Sequence, residues 1–145
     1  MRYVYPVIVE ADEDGRLLAK APDVPEAVAD GASVAEALRA MSEMLGVALA
    51  GYVREGRALP EPSAPSTAPY QAPVAPLVAA KLALRSAMAE QGVSHKTLAG
   101  RLGLTEAALR RLMDPDHGSS LEAVLEALAT LGYGLILEDI RPDAA

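Results

Sequence analysis

The residues best suited to chemistry lie between positions 94 and 111, where two short amphipathic segments follow each other. Arginine can bond guanine or phosphate, a carboxylate can accept from cytosine, and small polar or basic residues at a helix start can meet the DNA backbone. The spacing therefore predicts a nucleic-acid surface. Its candidate contacts are the start of each segment and one arginine pair: Ser94, His95, Lys96, Thr105, Glu106, Ala107, Arg110 and Arg111.

The same stretch has the features that a helix-turn-helix needs in order to hold its second helix at a steep angle. Ala99 is small where the helices would cross, and Gly103 tolerates positive φ in the turn. Thr105 is an N-cap candidate for the second helix. Five leucines are expected to lock the pair: Leu98, Leu102, Leu104, Leu109 and Leu112.

Periodicity alone is equally typical of a helical hairpin whose leucines form a core and whose arginines are solvated. The distribution of charged residues along the chain distinguishes DNA binding from a helical hairpin. The formal net charge is -7, yet residues 81–111 contain six Lys/Arg against two Asp/Glu. The basic window thus coincides with the predicted helix pair, which favours DNA binding, and because one such unit binds weakly a homodimer or higher homo-oligomer is expected.

The sequence offers few residues for metal binding or catalysis. Cysteine is absent, which excludes disulfides and Cys-based zinc sites, and the two histidines, His95 and His117, are far apart. The carboxylates Asp12, Glu13 and Asp14 lie at a predicted hairpin tip, where neighbouring side chains point apart. No catalytic triad, phosphate loop or dinucleotide fingerprint occurs. We therefore predict a protein that is not an enzyme and uses no metal and no cofactor.

The first half reads as a small sheet with one helix. Residues 3–21 alternate as a β-hairpin, residues 27–30 suggest a third strand, and residues 33–56 follow helical spacing. Ser33 and Glu36 are placed for a capping box, in which the serine accepts from the Glu36 amide while the glutamate reaches back. Eleven Asp/Glu against six Lys/Arg make residues 1–75 acidic, which suits a basic partner.

Six prolines between residues 59 and 76 cannot be accommodated in a helix and predict a linker between two domains, with one possible strand at residues 70–74. Four helices are then expected, the last three with Ser94, Thr105 and Ser119 as N-cap candidates. Residues 133–139 read as a terminal strand, which either covers the helical domain or pairs with its copy in a dimer.

Both halves resemble the HicB family of type II antitoxins, in its helix-turn-helix form. The first half is similar in YPVIVEADEDGRLLAKAPDVPEAVADGASVAEALRAM and GRALPEPS, residues 5–41 and 56–63. The second is similar in PLVAAKLALRSAMAEQGVSHKTLAGRLGLTEAALRRLMDPDHGSSLEAVLEALATLGYGL, residues 76–135. One departure is Glu26, where the family commonly has glycine.

The resemblance implies an α+β protein. Residues 1–75 would be a partial RNase H-like domain that binds a small basic HicA-type mRNA interferase, and residues 76–145 a helix-turn-helix domain, with a terminal strand, that binds operator DNA and dimerises. The family supplies no motif for the toxin contacts, so the acidic Asp12, Glu13 and Asp14 are the candidates from charge.

Two other functions remain open. The protein could be a solitary transcriptional regulator whose first domain binds a ligand or only dimerises, or an RNA-processing enzyme that needs a metal. The N-terminus lacks the features of a signal peptide, and no stretch approaches 18 uninterrupted apolar residues. A cytoplasmic protein without membrane association is expected.

Overall fold

The computed structural model describes residues 1–142 and is a mixed α+β structure with four strands and five helices in that range. Among these residues, no helix combines the length and the apolar character needed to cross a membrane. The chain divides into unit 1, residues 1–75 with 139–142, and unit 2, residues 76–138. The elements are β1 Val4–Ala11, β2 Leu17–Lys20, β3 Val28–Gly31, α1 Val34–Arg54, β4 Tyr70–Pro73, α2 Pro76–Gln91, α3 His95–Leu102, α4 Glu106–Met113 and α5 Leu121–Thr130.

Unit 1 contains an antiparallel sheet with the order β3-β2-β1-β4. The predicted hairpin is confirmed as β1 and β2, in register with Val9 opposite Ala19. Residues that alternate along the strands are buried on one face, which is the period-2 pattern of a half-covered sheet. Tyr5, Val7, Ala19 and Ala72 form that face.

Helix α1 begins and packs as its sequence predicts. Ser33 Oγ accepts from the Glu36 amide, while Glu36 Oε2 accepts from the amide of Ala32, one residue before the cap. Gly31, at the end of β3, lies so close to the helix that a Cβ there would be 2.5 Å from the Ala37 nitrogen. The missing side chain therefore lets the chain turn directly from the sheet into α1.

The proline-rich segment is part of unit 1 up to residue 75 and supplies β4, which pairs with β1. Residues 57–63, here called the exit segment, are held by side chains from elsewhere in the unit. The Tyr5 hydroxyl donates to the Pro60 carbonyl over 2.7 Å. Asp23 accepts from both the amide and the hydroxyl of Ser63, at 2.8 and 2.7 Å.

Glu26, the residue that departs from the family resemblance, makes the third of these attachments. Its carboxylate accepts from the Tyr52 hydroxyl at 2.8 Å and from Arg57 Nη1 at 3.0 Å. The Arg57 guanidinium also lies over the Tyr52 ring, 3.8 Å from the ring centre. Glu26 thus joins the turn before β3 to the end of α1 and to the start of the exit segment.

Unit 2 is built from α2 to α5 around one apolar core. Serine and threonine caps start the three later helices, as predicted for Ser94 and Thr105. The prediction of Ser119 as the cap of α5 is wrong, because Ser120 accepts from the Ala123 amide and Ser119 is engaged elsewhere. The core consists of Ala80, Leu84, Ala87, Met88, Leu98, Ala99, Leu109, Leu112, Met113, Val124, Ala127, Leu128 and Leu131.

The predicted terminal strand at residues 133–139 is also wrong for the single chain. These residues have no regular secondary structure and join none of the strand pairs of the sheet. A strand exists only where a second backbone segment accepts and donates its ladder hydrogen bonds, so β-propensity alone is insufficient. Within this segment Ile136 is 94% exposed and Leu137 is 71% exposed.

Candidate nucleic-acid interface

The turn between α3 and α4 has the backbone geometry expected from its sequence. Gly103 ends α3 with φ 67° and ψ 28°, a left-handed conformation in which its amide bonds back to α3. Thr105 then starts α4, and its hydroxyl accepts from the Ala108 amide. Because glycine adopts positive φ without steric cost, the chain can change direction within three residues.

Apolar side chains join the two helices to the rest of unit 2. Ala99, Leu98 and Leu109 are almost fully buried, Leu112 is 8% exposed and Leu102 is partly buried. The prediction that Leu104 contributes to this lock is wrong, since its side chain is 40% exposed. It follows Gly103 directly in the turn, where the helical period on which the prediction rested no longer applies.

All eight residues predicted to contact DNA are exposed, and they lie on the first turns of α3 and α4 and along the outer side of α4. Ser94 and Thr105 also cap their helices, so part of their hydrogen-bonding capacity is already used. Arg110 Nη2 lies 3.9 Å from Glu106 Oε2, an exposed pair one helical turn apart. Such a pair contributes little to stability and can be exchanged for contacts with a ligand.

One lysine of the basic window is not on the surface. The Lys81 side chain is fully buried, although the charge count included it. Its Nζ atom donates to the carbonyls of Asp114 and His117 at 2.9 and 2.5 Å, and to Ser119 Oγ at 2.9 Å. A fourth, longer contact reaches the Arg111 carbonyl at 3.4 Å.

Burial lowers the pKa of Lys81, while the nearby Asp114 carboxylate opposes that shift. The sequence did contain a sign of this burial. Lys81 lies four residues after Leu77 and three before Leu84, so it falls on the inward stripe of α2. Conversely, Arg101 in the last turn of α3 is exposed and basic, although it is not among the eight residues predicted from the sequence.

The acidic residues proposed to contact a toxin are exposed at the tip of the β1–β2 hairpin. Asp12 Oδ1 accepts from the amides of Asp14 and Arg16, which closes the turn. Arg16 in turn donates to Asp30 at 2.6 Å, and this contact raises the Arg16 pKa. Across residues 1–142, no group of three or more acidic, histidine or cysteine side chains is arranged to hold a metal ion.

Comparison with known proteins identifies the family. Residues 4–83 match the HicB-like antitoxin of bacterial toxin–antitoxin systems. Over 133 residues the chain is 30% identical to the antitoxin HicB of Escherichia coli, covering 92% of this chain and 96% of that protein. It is 35% identical over 129 residues to the antitoxin HicB of Pseudomonas fluorescens, covering 87% of both chains. These matches confirm the resemblance seen in the sequence, and the chain belongs to the HicB family of antitoxins.

Proposed function

We propose that this antitoxin neutralises a HicA-type mRNA interferase through unit 1 and represses its own operon by binding DNA through unit 2, in the cytoplasm. One observation carries the DNA-binding part. The eight residues selected for base and phosphate contacts are all exposed around one left-handed glycine turn, while the apolar residues between them are in the core. This arrangement leaves the polar face of α3 and α4 available for the major groove.

In this proposal α4 enters the major groove. Arg110 and Arg111 bond guanine or phosphate, and Glu106 accepts from cytosine. The first turn of α3, which carries Lys96, meets the phosphate backbone. These assignments predict that arginine loss affects sequence discrimination, whereas loss of Lys96 weakens all DNA sequences similarly.

Operator binding through such a unit requires two copies, because half-site symmetry follows the symmetry of the protein. Residues 133–139 are the proposed dimer element. Their sequence favours a strand, they form no strand within residues 1–142, and Ile136 and Leu137 expose apolar side chains. Pairing with the same segment of a second chain would form a strand ladder and cover both side chains. A chain ending at Gly132 is expected to be monomeric in sedimentation experiments.

The toxin contact is assigned to unit 1 by charge. Asp12, Glu13 and Asp14 are exposed together at a tip held by its own hydrogen bonds, so a basic partner would meet three carboxylates on a preformed turn. Complementary charge accelerates encounter more than it adds affinity. Replacing all three by the corresponding amides is therefore expected to slow association with a basic toxin and to reduce its salt dependence.

The experiment that tests the proposal measures operator binding and toxin binding on the same full-length variants. Arg110→Ala with Arg111→Ala is expected to cost about 1 to 3 kcal/mol for each lost base contact, with toxin binding unchanged. The control, Lys20→Ala with Arg39→Ala, removes the same charge from exposed positions of unit 1. Equal DNA affinity of the two double variants would refute the DNA-binding assignment.

One observation favours the alternative of a solitary regulator with a ligand-binding first domain. Unit 1 has a groove of about 820 Å³ between the first turns of α1 and β4, lined in part by Arg39, Tyr70 and Pro73. Its size is typical of small-molecule sites. Purification of the tagged protein from its native host separates the two functions, since a small basic protein in stoichiometric amount supports the antitoxin role and its absence favours the regulator.

A further inference from the structure

The buried ammonium of Lys81 donates to Arg111, one of the predicted DNA-reading arginines, and to residues in the loop that follows it. Its acceptors are three backbone carbonyls and one hydroxyl, spread over residues 111–119. One of them is the carbonyl of Arg111 itself. The last turn of α4 and the loop 114–119 therefore converge on a single atom that belongs to α2.

Burial of the Lys81 ammonium carries a cost in desolvation free energy, so the contacts that offset this cost are informative. An ammonium is strongly hydrated, and removing it from water is unfavourable unless all of its N–H groups find oxygens. A leucine at position 81 would continue the apolar stripe from Leu77 to Leu84 without that cost. A buried charge satisfied by several groups of fixed geometry selects one conformation of those groups, because displaced loops leave the charge uncompensated.

The ammonium also acts on the helix end. The last carbonyls of an α-helix have no partner within the helix and carry partial negative charge. Lys81 places a positive charge at the end of α4, while the Asp114 amide bonds back to the carbonyls of Arg110 and Arg111. The final turn, which presents both arginines, is thus closed from inside the unit.

We propose that Lys81 is a positioning residue for DNA binding: it holds the end of α4 and the loop 114–119 in one conformation, and so fixes the direction in which Arg110 and Arg111 leave the helix. This inference rests on the proposed operator binding. Lys81 itself reaches no DNA, because its side chain is fully buried.

The test compares full-length wild type, Lys81→Met and Lys20→Met in binding to DNA from upstream of the protein's own coding sequence. Lys20 is exposed on β2 and serves as the matched control. If the binding-competent conformation falls to a tenth of the folded population, affinity falls about tenfold. Folding of each variant is checked by circular dichroism, and DNA binding is compared only at temperatures at which all variants are folded.

Salt dependence distinguishes positioning from direct contact. A lysine that neutralises a phosphate contributes about 0.9 to the slope of log affinity against log salt. Lys81→Met is expected to lower affinity with an unchanged slope, whereas Lys96→Met is expected to reduce the slope. Unchanged affinity of folded Lys81→Met, or a reduced slope, would overturn the inference. If wild type does not bind this DNA while still binding a toxin, the operator-binding function itself fails.

A milder variant covers the case in which Lys81→Met does not fold. Ser119→Ala removes one of the four acceptors and leaves the ammonium with three carbonyls. We expect faster amide hydrogen exchange across residues 112–120 than in wild type, together with a few-fold loss of operator affinity. Exchange and affinity both equal to those of wild type would contradict the positioning role.

Discussion

Units 1 and 2 each hold an irregular segment against their core, but they do so differently. In unit 1 the exit segment is attached by Tyr5, Asp23 and Glu26, and two of these attachments are exposed. In unit 2 the buried ammonium of Lys81 donates to the carbonyls of Asp114 and His117 in the loop 114–119. In unit 1 the attachments are spread over three side chains, two of them at exposed positions, whereas in unit 2 several acceptors converge on one buried atom.

The two units should therefore differ in how strongly a single substitution lowers their stability. Exposed hydrogen bonds and ion pairs exchange readily with water, so each contributes little and the loss of one leaves the others. A buried ammonium has no water to replace its partners. We therefore expect unit 1 to tolerate single changes near its exit segment and unit 2 to respond strongly to a change at Lys81.

The comparison holds only if the two cores respond alike. Leu45 in α1 and Leu109 in α4 are both fully buried. Leu45→Ala and Leu109→Ala should each cost about 2 to 5 kcal/mol of unfolding free energy in their own unit, through lost burial and a residual cavity. Denaturant-dependent hydrogen exchange of the full chain measures the unfolding free energy of each unit separately. A much smaller loss in one unit would show that its core is loosely packed and would invalidate the comparison.

Lys81→Met should cost unit 2 about 1 to 3 kcal/mol, because loop and helix carbonyls lose their donor inside the protein. Hydrogen exchange of amides in α4 and α5 measures this loss, and Lys20→Met is the control. A stabilised Lys81→Met variant would show that desolvation of the ammonium outweighs its hydrogen bonds, contrary to the proposed concentration of stability there.

Tyr5→Phe should have a smaller effect, about 0.5 to 1.5 kcal/mol in unit 1, because it removes one hydrogen bond and leaves the ring in place. Burial raises the pKa of the Tyr5 hydroxyl, which therefore stays a donor to Pro60 throughout the neutral range. Urea unfolding followed at unit 1 amides measures the change. A loss as large as that of Leu45→Ala would mean that the exit segment depends on this one contact.

The smallest effect is the pH dependence contributed by Glu26. The Tyr52 hydroxyl, with Arg57, holds the Glu26 pKa below its ordinary value. A depressed carboxylate pKa stabilises the folded state fully above the unfolded value, about 4.3, and the contribution is lost as the pH falls through the folded value. Glu26→Gln keeps the shape but not the charge. Its stability deficit relative to wild type should shrink on acidification, and a constant deficit would contradict this linkage.

Much of the fold was predictable because its determinants are local. Alternation predicted the β1–β2 hairpin, cap residues predicted the starts of α1, α3 and α4, and glycine predicted the left-handed turn at Gly103. Three predictions failed at positions that depend on distant partners. Residues 133–139 lacked a strand to pair with, Ser120 rather than Ser119 capped α5, and Leu104 was exposed. The alternatives in each case differ little in local propensity, so contacts decide between them.

Amphipathic spacing and capping chemistry act within a few residues of each position, so the element types and the eight candidate DNA contacts could be predicted from the sequence, as could the family from its motifs. The role of each charged side chain, by contrast, depends on where the fold places it. Lys81 counts toward a basic surface in the sequence, yet burial directs it inward to the loop 114–119. Tyr5 contacts Pro60, and Glu26 contacts Arg57, only when the exit segment folds back across unit 1. The physical reason is that burial and hydrogen-bond partners separated by 30 or more positions are properties of packing, which no local pattern encodes.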